Sequence, residues 1–222
     1  MKGGFPVRNV WKKYILALSA LFALALTGCQ GPIDLAGIKR VAVLTPVNRT
    51  NCPTLGDEIK RELLRQLSNR VAAEIVDGAA IEAAIPLEGL AAVLGRPDEA
   101  AELGAVYGVD AFLFGTATHY EQGHRPHLQL NIETGEGLHA DARVDLEVQV
   151  GFELKLLRAA DGQVLISHHV AESAEETFSI GLEPPSISLT FSLEPVYPQL
   201  REEAIRAAVR KTLMEVVRAS RR

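Results

Sequence analysis

A chain of 222 residues, 47% of them hydrophobic and with a formal charge of −5, has the length and apolar content for one domain with a sizeable core. Its excess of acids excludes a nucleic-acid binder, which needs a basic face to displace counterions. There are two cysteines, Cys29 and Cys52. If the first is consumed in processing, no intrachain disulfide is left and stability falls to the core.

The opening MKGGFPVRNVWKK carries Lys2, Arg8, Lys12 and Lys13 without an acid, and an uncharged run of 12 residues follows from Ile15 to Leu26. A basic start before a short apolar run is the pattern of a secretion signal. A bilayer-crossing helix needs about 20 apolar residues, so the run is too short for a permanent span. Leu26, Thr27, Gly28 and Cys29 then form a lipobox: an aliphatic residue, two small ones that fit the signal peptidase, and a thiol to take the diacylglycerol. The sequence thus predicts a removed signal over 1–28, lipidation of Cys29, and a lipidated tether over 29–38. Acyl chains supply the membrane binding. Gln30, a residue other than Asp behind the lipidated cysteine, resembles the pattern by which lipoproteins of the enterobacterial type are sorted to the outer membrane, which implies a body facing the periplasm there, with inner-membrane retention as the lesser alternative. Loss of the signal makes the mature chain four charges more negative.

A single α/β domain is predicted over 39–222. Val41 to Leu44 is a continuous apolar run that fits a strand buried on both faces. Thr54 is placed as an N-cap, with Asp57 and Glu58 in the first turn of a helix whose Leu55, Ile59, Leu63, Leu64, Leu67 and Val71 share one face. Residues 73–77 read as the next strand and 78–84 as a short helix. Pro97-Asp98-Glu99 opens a further helix that Gly104 or Gly108 ends. Residues 109–116 give a second apolar strand, and this alternation places helices over a largely parallel sheet. From Arg143 the period changes to two, with Val144, Leu146, Val148, Val150, Phe152, Leu154 and Leu156 on one face. Asp161-Gly162 turns the chain and 164–170 returns as the partner of a long antiparallel hairpin. Ile205, Ala208, Val209, Leu213, Val216 and Val217 mark a carboxy-terminal amphipathic helix. The expected class is α/β: a mixed sheet with flanking helices, a βαβ start, the long hairpin and the final helix.

With these residues placed, the order resembles the amino-terminal domain of the TolB family, the curli secretion-channel lipoproteins and the penicillin-binding-protein activator lipoproteins. The likeness rests on VAVLTP at 41–46, GDEIKRELLRQL at 56–67, AELGAVYGVDAFLFGTATHY at 101–120, RAADGQVLISHHV at 158–170 and EPV at 194–196. It implies an envelope assembly, export or activation factor. Two insertions, at about 119–142 and 171–194, fall where the curli channel carries membrane-inserting hairpins. The second alternates through Phe178, Ile180 and Leu182, then Ile187, Leu189, Phe191 and Leu193, around Pro184-Pro185. A barrel strand needs about 9–11 residues to cross, and these arms read as shorter. Both insertions are accordingly expected as periplasmic loops or an oligomer contact, with those seven residues as the interface.

Chemistry is poorly represented. His119, His124, His127, His139, His168 and His169 crowd one region, yet His124-x-x-His127 matches no helical or finger spacing, and His168 and His169 as strand neighbours point to opposite faces. No Gly-x-Ser-x-Gly elbow, phosphate loop or dinucleotide-binding glycine pattern is present. Cys52 reads as a buried or loop cysteine, and Glu172, Glu175 and Glu176 as a solvated edge. The sequence therefore predicts no catalytic residue, no metal and no cofactor. The expected function is a non-enzymatic binding or assembly module for other envelope proteins, held to the membrane by its lipid and able to form homo-oligomers. The alternative is an oligomeric outer-membrane secretion-channel subunit of the curli type.

Overall fold

The computed structural model describes residues 33, 35, 37–133, 137–182 and 196–220. The signal, Cys29, and the interface residues Ile187, Leu189, Phe191 and Leu193 lie outside the described residues. Six strands, β1 (Arg40–Val43), β2 (Val47–Asn48), β3 (Glu74–Asp77), β4 (Ala111–Glu133), β5 (Gly137–Arg158) and β6 (Val164–Leu182), form one sheet in the order β3-β1-β4-β5-β6, with β2 beside β4. The β3, β1, β2 and β4 contacts are parallel, and β4, β5 and β6 are antiparallel. The mixed α/β class expected from the sequence is what forms.

Helix α1 (Leu55–Leu67) follows β2. Helices α2 (Ala79–Ala84), α3 (Leu87–Leu94) and α4 (Pro97–Tyr107) separate β3 from β4, and α5 (Tyr197–Ser220) follows the sheet. Alternation along β1 feeds both sides of the sheet. Val41 and Val43 join a core with Ile59 and Leu63 of α1 and Ile205 and Val209 of α5. Ala42 and Leu44 join a second core with Ile81, Leu94 and Phe112. Helix α3 was not expected, because eight residues containing Gly89 give too few turns for a periodicity to emerge; Leu90 and Leu94 are nevertheless buried.

The tether is shorter than the sequence suggested. Ile33 forms a parallel bridge with Val71, donating its N–H to the Arg70 carbonyl at 2.7 Å and accepting from Ala72 at 2.9 Å. Leu35 and Ile38 are buried in the first core. The Gly108-Val109-Asp110 triplet has a definite task here. Gly108 closes α4 at φ 63°, and Asp110 accepts the backbone N–H groups of Lys39 at 2.8 Å and Arg40 at 2.9 Å, pinning the start of β1 to the start of β4.

The two insertions are corrected. Residues 119–133 continue β4, 137–142 belong to β5, and 171–182 continue β6, so the three strands are 23, 22 and 19 residues long. Strand pairing accommodates the polar residues that suggested loops on both faces: Glu121, Arg125 and Glu175 lie on one, while Gln122, His124, Glu172 and Glu176 share rungs with Val148, Leu146, Val150 and Leu146 on the other.

Candidate binding surface

The three long strands start in the body and leave it as a ribbon. Leu146, Val148 and Val150 of β5 are fully buried on the face that meets α5. That helix begins at Tyr197, whose hydroxyl donates to the Gly123 carbonyl at 3.5 Å. Past Gly123, β4 runs ten more residues to Glu133, about 33 Å of extended chain. Register assigns the faces of this distal part. Phe178 lies opposite Val144, and both are half-buried against the first core. Outward from there, successive rungs on that face are Leu128–Ala142–Ile180, Leu130–Ala140–Leu182 and Ile132–Leu138. The rungs between them, on the other face, are His127–Arg143–Ser179, Gln129–Asp141–Gly181 and Asn131–His139. Every position of one face is apolar, and the other bears the charges and amides.

Of the seven expected interface residues, Phe178, Ile180 and Leu182 thus stand on one face of β6. Sequence reasoning missed their neighbours Leu128, Leu130, Ile132, Leu138, Ala140 and Ala142. The alternation of 128–132 was legible, but the surrounding histidines, glycines and Pro126 masked it. Nearer the body, the polar face holds a cavity of about 240 Å³ lined by residues including Glu121, His124, Arg125, Asp145, Glu147 and Glu175. Arg143 meets Asp145 at 3.1 Å, and Asp145 accepts the Thr177 hydroxyl at 2.7 Å. These pairs hold strand register at a solvent-facing surface and add little to stability.

Two further polar clusters support the body. At the carboxyl ends of β1 and β3, the Lys60 ammonium donates to Glu82 at 3.0 and 3.1 Å and meets Asp77 at 2.6 Å, while Glu82 also accepts the Thr45 N–H at 2.5 Å. Burial disfavours the Lys60 charge, but the two carboxylates outweigh it and raise its pKa above the ordinary value. The same ammonium holds the Asp77 carboxyl below its usual range, against a smaller opposing effect of burial. Where α1 meets α5, Arg201 pairs with Glu58 at 2.7 and 2.9 Å and stands 6.0 Å over the Tyr120 ring. Burial opposes its charge, and hydrogen bonds to Tyr120 and Glu58 prevail and raise its pKa. The guanidinium also donates to the buried Cys52 Sγ at 3.5 Å. Cys52 is accordingly a packed cysteine.

The described histidine side chains do not converge. His119 is 3.7 Å from Glu121, His124 lines the cavity, and His168 and His169 face opposite ways from β6, opposite Leu154 and Glu153 respectively. His127 and His139 occupy rungs of the polar face. Among the described residues, no three His, Cys, Asp or Glu side chains are placed to share a metal, and no helix is long and apolar enough to cross a membrane.

No family model and no curated protein matches this sequence. Solved structures do resemble the chain. Lipoprotein GNA1162 from Neisseria meningitidis is 18% identical, with a TM-score of 0.41, over 63% of this chain and 83% of that one. A PelC dodecamer from Paraburkholderia phytofirmans is 15% identical, with a TM-score of 0.43, over 84% and 95%. The LpoB C-terminal domain from Escherichia coli is 13% identical, with a TM-score of 0.37, over 68% and 92%. Each is a distant likeness of fold.

Proposed function

We propose that this chain is a non-enzymatic envelope lipoprotein, anchored through Cys29 in the outer membrane and facing the periplasm, that binds and helps to assemble other envelope proteins. The observation that carries the reading is the ribbon: three strands continue past Gly123 with one apolar and one charged face, a surface built for contact. Its partners are envelope proteins and further copies of itself, with no nucleic acid, metal or cofactor. Cys52, the one residue type with nucleophilic promise, is buried against Arg201, which supports a role without catalysis. Photo-crosslinking from positions 129, 143 and 178 in intact envelopes tests the reading. Adducts with other envelope proteins are expected, and their absence at all three positions overturns it. Cys29→Ser should abolish palmitate labelling and release the protein from membranes after an alkaline wash. A labelled, membrane-bound mutant would remove the anchor from the proposal.

One observation favours the channel alternative. The distal arms of β4 and β5, about ten residues each past Gly123, match the 9–11 residues of a barrel strand, whereas the described arm of β6 runs seven. Conductance of the lipidated protein in planar bilayers, abolished by Leu130→Glu together with Ile180→Glu, would establish that reading in place of the first.

A further inference from the structure

The outermost strands of a sheet carry N–H and C=O groups that pair with nothing in that sheet, and natural sheets blunt such edges so that they do not recruit another chain. Among the described residues the open edges differ in this respect. β3 is only four residues long and has Glu74 and Asp77 at its ends. β4 past Ala117, where β2 stops, begins with a bulge at Thr118 and carries Pro126. β6 pairs with β5 on one side and with no described strand on the other. After a bulge at Leu165 it runs regularly from Ile166 to Ala171 with the sequence ISHHVA, which contains no proline, carboxylate, lysine or arginine. None of the usual devices blunts this stretch.

The chain that follows β6 cannot lie along it. Leu182 and Val196 are fourteen residues apart, which spans ~50 Å at full extension. Tyr197 is held at Gly123, which is level with Glu175 of β6 through Glu147 of β5. A path from Leu182 back along the edge to Ser167 takes ~50 Å at ~3.3 Å per residue, and the return to the level of Glu175 takes another ~26 Å. The excess is well beyond what the Tyr197 side chain spans.

A second copy of the same edge fits the stretch. Two copies of one edge related by a two-fold axis through the sheet pair antiparallel. Centred at His168, such a pair sets Ile166 opposite Val170 and Ser167 opposite His169, with the neutral run at its middle. Glu172, Glu175 and Glu176 all lie to the distal side of that run. Antiparallel pairing therefore carries the carboxylates of the two copies ~26 Å or more apart, where parallel alignment would set them side by side. The helices agree with this arrangement. α5 packs on β5 and β6, with Lys211 bonded to Glu172 of β6 at 2.6 Å. Continuing the sheet through β6 of a second copy sets the two α5 helices two strand spacings apart, ~10 Å, a distance at which helices pack. An unrelated strand would supply the hydrogen bonds without the matching helix.

We infer that residues 166–171 of β6 are the self-association edge of this protein and pair antiparallel with the same residues of a second copy. The inference rests on the assembly-module reading, which counts further copies among the partners, and it leaves the distal ribbon for other envelope proteins.

The test uses the full lipidated chain in intact envelopes, with His169→Cys as the probe and Glu74→Cys, on the opposite edge, as the comparison. The wild-type chain, whose Cys52 is buried, is the blank. A short bis-maleimide should give an adduct of twice the protomer mass from position 169, at least tenfold more than from 74. Adding Ser167→Lys and Ala171→Lys, at two exposed positions, should lower that yield at least tenfold while limited proteolysis of the body stays unchanged. In the purified wild-type chain, amide exchange within 166–171 should slow as the protein concentration rises, a readout that depends on no variant. Equal adduct yields from 169 and 74 overturn the inference, and so does a dimer that survives the two lysines. The absence of dimer with position 169 reacting freely with a water-soluble maleimide also overturns it, because the edge is then uncovered. Slow exchange at 166–171 that does not depend on concentration overturns it in favour of a cover from the same chain. Adducts from 169 to a different envelope protein, without a dimer, overturn it while leaving the assembly-module reading intact.

Discussion

Strands β4, β5 and β6 pass through two different surroundings without changing their period. Near the body, Phe112, Phe152 and Leu154 have essentially no exposure, with helices on the faces they enter. Beyond Gly123 the same alternation puts Leu128, Leu130 and Ile132 on one face, and the described helix on that side starts at Tyr197, level with Gly123. A period of two states which side chains share a face, and it carries no information about what covers that face. In the body the cover is supplied by the same chain through α1 and α5. Among the described residues no helix follows the distal ribbon outward from Gly123, so there the alternation marks a face without committing it to a core.

The sharpest way to break this comparison is to remove equivalent apolar side chains from both regions. Phe152→Ala should destabilise the mature chain, made without its lipid, by about 3–5 kcal/mol, since a fully buried ring leaves a cavity that close-packed neighbours fill only in part. Phe178→Ala, at a half-buried position of the ribbon, should cost the folding of a single protomer less, about 1–2 kcal/mol. Urea titrations at low protein concentration give both values. Similar losses at the two positions would mean that the ribbon folds as part of the core.

The Lys60 cluster sharpens the contrast on the polar side, because the body buries an ion pair where the ribbon exposes its pairs. Lys60→Ala leaves Glu82 and Asp77 facing each other without the cation and should cost about 2–3 kcal/mol, a value lowered from that of a fully buried pair because Asp77 is half exposed. Asp77 is held below its ordinary value, so its contribution is complete above about pH 4 and fades as the pH falls through its folded pKa. Lys60 is held above its ordinary value despite burial, so its contribution is complete below about pH 10 and fades as the pH rises through its folded pKa. The difference between wild type and mutant should therefore be flat from about pH 5 to 9 and shrink on either side. Arg143→Ala in the ribbon should change stability by less than ~1 kcal/mol throughout.

Periodicity and turn chemistry made the body legible. The Val41–Leu44 run was a strand covered on both faces, and Asp161-Gly162 closed a hairpin, with Asp161 accepting the Gln163 N–H at 3.0 Å. Helix α3 was hidden by its brevity, and Leu35 and Ile38 by the glycines and proline beside them. The ribbon was missed for a different reason. A two-faced strand with one solvated side has the average composition of a loop, and Pro126 in β4 and the histidines around it reinforced that impression. Only pairing with β5 and β6 shows that 128, 130 and 132 form rungs with 138–142 and 180–182. Phe178, Ile180 and Leu182 were identified because their alternation was uninterrupted. The rest of their face depends on partners far away in sequence, which no local pattern encodes.

Two modest effects of opposite sign in the two regions come from the same substitution. Gly162 turns the base hairpin at φ 65°, and a Cβ there would approach the Pro97 Cα and Cβ to 3.0 and 3.1 Å. Gly162→Ala adds left-handed strain, worth ~1–2 kcal/mol for an L residue, to a contact that α4 cannot easily yield, so a loss of about 1–2 kcal/mol is expected. Gly123 sits in β4 at the mouth of the ribbon with no positive φ and nothing within 4 Å of a Cβ. Gly123→Ala restricts the unfolded chain at no steric cost and should stabilise by about 0.5 kcal/mol. Its carbonyl still accepts from Tyr197, so the start of α5 is undisturbed. Denaturation midpoints at constant slope measure both changes. A loss at Gly123 comparable to that at Gly162 would mean that the first residues of the ribbon are packed as tightly as the body, and the boundary between covered and uncovered sheet would have to move outward from Gly123.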